Sequence, residues 1–215
     1  MTKDHKTFID ELLTTASPTG AEVAGQKVWA AYIASYADAV DIDAYGNTWA
    51  TLAGTGSAPK VMLEAHADEI GFMINHVDDK GFISVIAVGG SDVAITRGKR
   101  IVFAGRKGEV RGVIANTAIH LRKDSRGDEK APKWHEIHVD LGVDSRKEVE
   151  DLGLTVGCFG VYDVEPLELN PKRWAGRAID NRISGYILAR VLENLHGDRG
   201  SFPGEVHAVN AVQEE

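Results

Sequence analysis

The residues best suited to do chemistry are His66, Asp68 and Glu69, which fall in the stretch Val61–Phe72, VMLEAHADEIGF. The apolar run Val61-Met62-Leu63 that precedes them has the length of a buried strand rather than a helix. In an open α/β sheet, ligands bind where strands end, so polar groups gathered after such a run mark a candidate site. His66 and Asp68 are two apart and share a side if the extended backbone persists. That suits a metal-binding imidazole whose second ring nitrogen is held by a carboxylate, which fixes its tautomer and raises its basicity. A solvated strand-to-loop turn would contain the same three residue types.

Two more apolar runs end in carboxylates: Ala178-Ile179 before Asp180, and Val206–Val212 just before Glu214-Glu215. Singly, Asp180 can be the N-cap of the helix that follows, and the two glutamates can be a solvated tail. Together they are what a dinuclear hydrolase needs. Such a site takes one carboxylate bridging two ions about 3.5–4 Å apart, terminal His, Asp or Glu ligands, and a further carboxylate as base. A glycosidase instead needs two carboxylates about 5–9.5 Å apart; adjacent Glu214 and Glu215 do not meet that directly, though Asp68 or Asp180 can partner one. The other histidines compete poorly. His135 and His138 are three apart in a strand-like segment and face opposite ways, His76 and His120 are lone residues, and His207 alternates into the last strand. His5 and His196 sit near helix ends and read as solvated. There is no Gly-x-Ser-x-Gly around a serine, no motif around Cys158 and no complete phosphate-binding glycine loop.

The elements that must position these groups fall into three blocks. Asp4–Ala16 and Glu22–Tyr36 have helical spacing, with Ser17-Pro18-Thr19-Gly20 between them. Strands follow through Val40–Ile42, Thr48–Leu52 and Val61 onward. From Phe72 to about Tyr162 the pattern becomes short strands punctuated by glycine: 72–76, 82–88, 101–104, 109–114 and 137–139. That is the signature of a small β-barrel or sandwich. Within it, Ser145–Leu152 carries a capping-box pattern, and Arg122–Lys133 reads as a charged loop with no site role. After Asp163 the α/β texture returns, with a helix through Ile183–Leu195 and a strand at Glu205–Gln213. This last strand is apolar on both faces and so requires layers above and below and neighbours at its edges.

Composition narrows the function classes. A chain of 215 residues that is 43% hydrophobic and 26% charged is of soluble globular type, and its formal charge of −8 argues against a nucleic-acid partner. The single cysteine allows no intrachain disulfide. The amphipathic start MTKDHKTFIDELL has no signal core, and no run is long enough to span a membrane. The expected location is the cytoplasm.

AHADEIGF (Ala65–Phe72), AIDNR (Ala178–Arg182) and VQEE (Val212–Glu215) occur in this order, with a β insertion between the first two. This set resembles the tetrahedral dinuclear aminopeptidases, cytoplasmic metallopeptidases of the glutamyl or deblocking type, some of them labelled endoglucanases. Matching stretches also include Ser17–Gly20 with Glu22, Asp43–Asn47, Val88-Gly89-Gly90 and Ile114 through Leu121. The resemblance implies an α/β fold: a zinc-peptidase-like three-layer α/β/α domain, incomplete here, with an inserted small β-barrel dimerisation domain. The expected division is 1–71 with 163–215 for the α/β domain and 72–162 for the insertion. Two divalent ions are implied, zinc foremost, with cobalt and manganese as the other candidates. His66 would bind one ion, Glu215 the other, and Asp180 both. Glu214 would be the general base and Asp68 would orient His66. The Asp180–Asn181 peptide bond is expected to be cis, as in relatives.

The implied substrates are peptides, and the implied assembly is a homo-oligomer, dimeric through the insertion and dodecameric in full-length relatives. Family chains continue past the double glutamate to a further metal-binding aspartate and histidine. The expectation is therefore a C-terminally truncated form in which each ion lacks its third protein ligand, with impaired or no activity. Ala67 stands where methionine is usual, and Cys158 where aspartate is expected. The competing classes are a non-catalytic oligomeric module and an endoglucanase-type glycosidase.

Overall fold

A computed structural model of the chain describes residues 2–121, 131–200 and 202–215. Its first elements are α1 (Lys3–Thr14), α2 (Val23–Ile33), β1 (Ala39–Ile42), β2 (Thr48–Leu52), β3 (Val61–His66), β4 (Gly71–Val77) and β5 (Ile83–Val88). They are followed by β6 (Arg100–Gly105), β7 (Gly108–Asn116), β8 (Ile137–Asp140), α3 (Arg146–Asp151) and β9 (Phe159–Tyr162). The last are β10 (Leu167–Asn170), β11 (Arg173–Ala175), α4 (Ile179–Gly197) and β12 (Val206–Ala211). The chain divides into two units, Met1–Glu69 with Glu165–Glu215, and Ile70–Val164, so each boundary lies two residues outside the position expected from sequence.

The first unit is built on a sheet of order β1-β2-β12-β3, in which β12 is antiparallel to β2 and parallel to β3. Its interior place gives β12 the neighbours that a strand apolar on both faces requires. The helices bury residues at helical spacing, Phe8, Ile9, Leu12 and Leu13 from α1 and Trp29 and Ile33 from α2, as does Leu188-Ala189-Leu192 of α4. Most of these pack on Ala50, Leu52, Ala65, Val206 and Ala208 of the sheet. Trp29 is wholly buried, and its indole N–H donates to the Gly185 carbonyl at 2.9 Å. A Cβ at Gly185 would come within 3.0 Å of Asn210 Oδ1, so only glycine lets α4 lie this close over β12. The β10–β11 hairpin belongs to this unit and has no counterpart among the strands expected from sequence.

The second unit is a closed barrel, β4-β5-β8-β7-β6-β9, around Phe72, Ile74, Ile83, Ile101, Phe103, Ile114 and Val139. The strand that the sequence pattern does not show is β9, which pairs with both β4 and β6. Gly160 breaks its alternation because a Cβ there would lie 2.6 Å from the Phe103 ring. At α3 the expected Ser145 cap is present, with Ser145 Oγ accepting from Glu148 N–H, but the Glu148 carboxylate accepts from Asp144 N–H at 3.0 Å, one residue before the position a capping box uses. Residues 122–130 of the charged segment lie outside the described residues.

Candidate active site

The site grows from the parallel pairing of β3 with β12. Ala211 is in register with His66, and the Ala67 N–H donates to the Ala211 carbonyl at 2.8 Å. Parallel neighbours finish at the same edge of a sheet, so His66 and the residues after β12 are delivered side by side. The buried His66 ring has Nε2 3.3 Å from Asp180 Oδ1 and 3.6 Å from Glu214 Oε2. Asp180 does not cap α4. The N-cap position is held by Ala178, and Asp180 has non-helical angles (φ −84°, ψ 112°) and a cis bond to Asn181, as the resemblance implies.

Asp68 is fully buried and backs the imidazole. Its Oδ1 lies 3.3 Å from His66 Nδ1, and among the described residues neither buried atom has a hydrogen-bond partner. Its other oxygen accepts from Thr19 Oγ1 at 2.8 Å and from the Glu215 N–H at 3.0 Å. Burial pushes the Glu215 carboxyl above its usual range; the His66 ring opposes this, and the charges of Asp180, Asp68 and Glu214 reinforce it. The site therefore gathers carboxylates closely enough to repel one another, an arrangement that a cation relieves.

The donor chemistry suits a divalent metal. Two ligands at about 2.0–2.1 Å from one tetrahedral ion stand about 3.3–3.4 Å apart. The His66–Asp180 separation of 3.3 Å matches that spacing. Asp68 supplies the carboxylate partner that metal-binding histidines use on their second nitrogen. The match is pairwise: among the described residues, no group of three or more His, Cys, Asp or Glu is arranged to hold an ion as it stands.

Glu69, grouped by sequence with His66 and Asp68, does other work. It is buried, and its carboxylate accepts from Arg177 at 2.6 Å, from Arg182 at 2.8 Å and from the Ser17 N–H at 3.1 Å. Arg182 also donates to the carbonyls of Ala67, Leu12, Thr15 and Ser17, and Arg177 reaches that of Thr14. Burial lowers the Arg182 pKa, with Glu69 opposing. This guanidinium ties the end of α1, the Ser17 turn and the backbone after His66 to the start of α4. The sequence pattern marks AIDNR without giving Arg182 a role, and it gives none to Thr19, Glu22 or Asn47; the signal for each is that it lies in a stretch shared with the resembling family. His5, expected to be solvated, has Nε2 3.2 Å from Glu193 and contacts Arg190, so it joins α1 to α4. Among the described residues no helix is long and apolar enough to cross a membrane.

The sequence profile of the M42 glutamyl aminopeptidases matches residues 46–215. Lysyl aminopeptidase of Pyrococcus furiosus is 36% identical over 179 residues, covering 83% of this chain and 50% of that protein. A TET aminopeptidase from a marine sediment Thaumarchaeota archaeon superposes with a TM-score of 0.91 at 27% identity, over 99% of this chain and 59% of the other. The Pyrococcus horikoshii TET1 peptidase, which can assemble into a tetrahedron or a large octahedral shell, gives 0.85 at 25% identity, over 98% and 61%. The chain spans about half the length of the curated relatives it matches.

Proposed function

Because this chain belongs to the M42 glutamyl aminopeptidase family, we propose that it carries the chemistry of a metal-dependent aminopeptidase removing N-terminal residues from peptides. The observation that carries the reading is the His66 ring, backed by Asp68 on one nitrogen and facing Asp180 and Glu214 with the other. Two divalent ions, zinc foremost, would be held by His66, Asp180 and Glu215, with Asp180 shared. The chemistry such ions supply is polarisation of the scissile carbonyl and acidification of the attacking water. Asp68 fixes the His66 tautomer so that Nε2 presents its lone pair. Glu214, exposed at the rim and free to reach substrate, takes the water proton on its carboxylate and returns it to the leaving amine nitrogen. We extend the reading to assembly as a homo-oligomer, with the barrel unit as the contact between copies.

Calorimetric titration of zinc or cobalt into the full chain, with Asp180→Ala as control, tests the metal sites. Two sites that weaken together in the control are expected; no binding by the parent chain would overturn the assignment. Hydrolysis of aminoacyl nitroanilides should be lost with a chelator and return with metal, and chelator-indifferent turnover counts against the mechanism. Light scattering reads the mass in solution, where a monomer would remove the assembly proposal.

A further inference from the structure

Two of the matching stretches, Ser17–Gly20 with Glu22 and Asp43–Asn47, meet Val212 and Gln213, the two residues before the double glutamate. Beyond β12 the chain leaves the sheet, and side chains take up its main-chain donors. The Val212 N–H donates to Asn47 Oδ1 at 2.9 Å, the Gln213 N–H to Glu22 Oε1 at 3.1 Å and the Glu215 N–H to Asp68 Oδ2 at 3.0 Å. The same Glu22 oxygen accepts the Gly20 N–H at 2.8 Å. Glu22 stands at the N-cap position of α2, yet its side chain makes no cap bond to that helix; only 5% of it is exposed. Its carboxylate is turned instead onto the residue before Glu214. That residue, Gln213, has φ 59°, in the left-handed region that a side chain bearing Cβ disfavours. A non-glycine residue stays there when its surroundings hold it, and charge-assisted bonds to buried carboxylates are the stronger kind. Losing the bond to Glu22 removes the acceptor that opposes relaxation of Gln213 to a commoner conformation.

We infer that Glu22 is a positioning residue for the Glu214–Glu215 pair, holding through the Gln213 N–H the left-handed turn that sets both carboxylates beside His66 and Asp180. This deepens the proposed function and rests on reading those glutamates as base and ligand.

Glu22→Gln and Glu22→Leu in the full chain separate this role from simple packing. The Gln amide oxygen has lone pairs for both N–H groups, whereas Leu fills the space and accepts neither. Zinc titration well below the unfolding transition should find Glu22→Gln within about 3-fold of the parent and Glu22→Leu about 10–100-fold weaker, the range for lost support of a ligand. Parent-like affinity in a folded Glu22→Leu chain, or equal loss in both variants, overturns the inference. Amide hydrogen exchange at Gln213 decides it independently, including where Glu22→Leu does not fold. Protection in the parent and in Glu22→Gln supports the turn, and exchange at the rate of an open loop overturns it. A parent chain that binds no zinc refutes the metal reading alone, and exchange at the Gln213 amide still decides the role of Glu22.

Discussion

At the scale of single residues, Asp68 does two jobs with one carboxylate: one oxygen faces His66 Nδ1, and the other receives Thr19 and the Glu215 main chain. Asp68→Asn should therefore weaken zinc binding by about 10–100-fold, as loss of a histidine's carboxylate partner does elsewhere. Calorimetry on the folded variant checks this, and unchanged affinity would remove Asp68 from the site. Glu215 makes the opposite point. Its pKa is raised on folding, so its contribution to stability is present below the unfolded carboxylate value and is lost as pH rises through the folded one. In metal-free protein at neutral pH the ionised group is thus a burden. Glu215→Gln should raise the metal-free Tm at pH 7, with the gain shrinking as pH falls, while zinc binds more weakly. A lower Tm at neutral pH would contradict this assignment of charge. Stability given up for a charged site is the usual trade.

At the scale of elements, the order of the site depends on a few side chains that cross between segments. Arg182, in the first turn of α4, holds carbonyls of α1, of the Ser17 turn and of the segment after β3, and it pairs with Glu69. Arg182→Met removes those bonds and leaves Glu69 to Arg177, so the cost should be on the order of 3–5 kcal/mol, as when one member of a buried ion pair is deleted. Urea unfolding measures it. Lysine should not rescue, because a point charge cannot serve several diverging acceptors. A loss below about 1 kcal/mol would place Arg182 among the weakly contributing surface pairs.

At the scale of the whole chain, the two units have separate cores with no residue in common. Phe103 is wholly buried in the barrel, in one apolar cluster with Phe72 and Ile101. Phe103→Ala should destabilise the barrel by about 3–5 kcal/mol through the cavity it leaves. Zinc affinity, measured below the barrel's transition, should be unchanged, because every residue assigned to the metals lies in the other unit. Coupled loss of both would show that the site depends on the barrel's integrity.

Much of this was legible in the chain itself. The strand lengths, the change of texture near residue 70, and the gathering of His66, Asp68, Asp180 and the double glutamate at the ends of apolar runs are local patterns, written within a few residues of each other. The closing strand β9 was not, because Gly160 interrupts its alternation for the sake of a ring contributed by β6. Nor were Arg182, Glu22 and Asn47, whose long-range partners lie 113 to 191 residues away in the chain. Residue type tells what a side chain can donate or accept; only folding decides which backbone groups are left without a partner and come within its reach. The sequence by itself determined which groups could do the chemistry. The tertiary structure decided which groups hold them still.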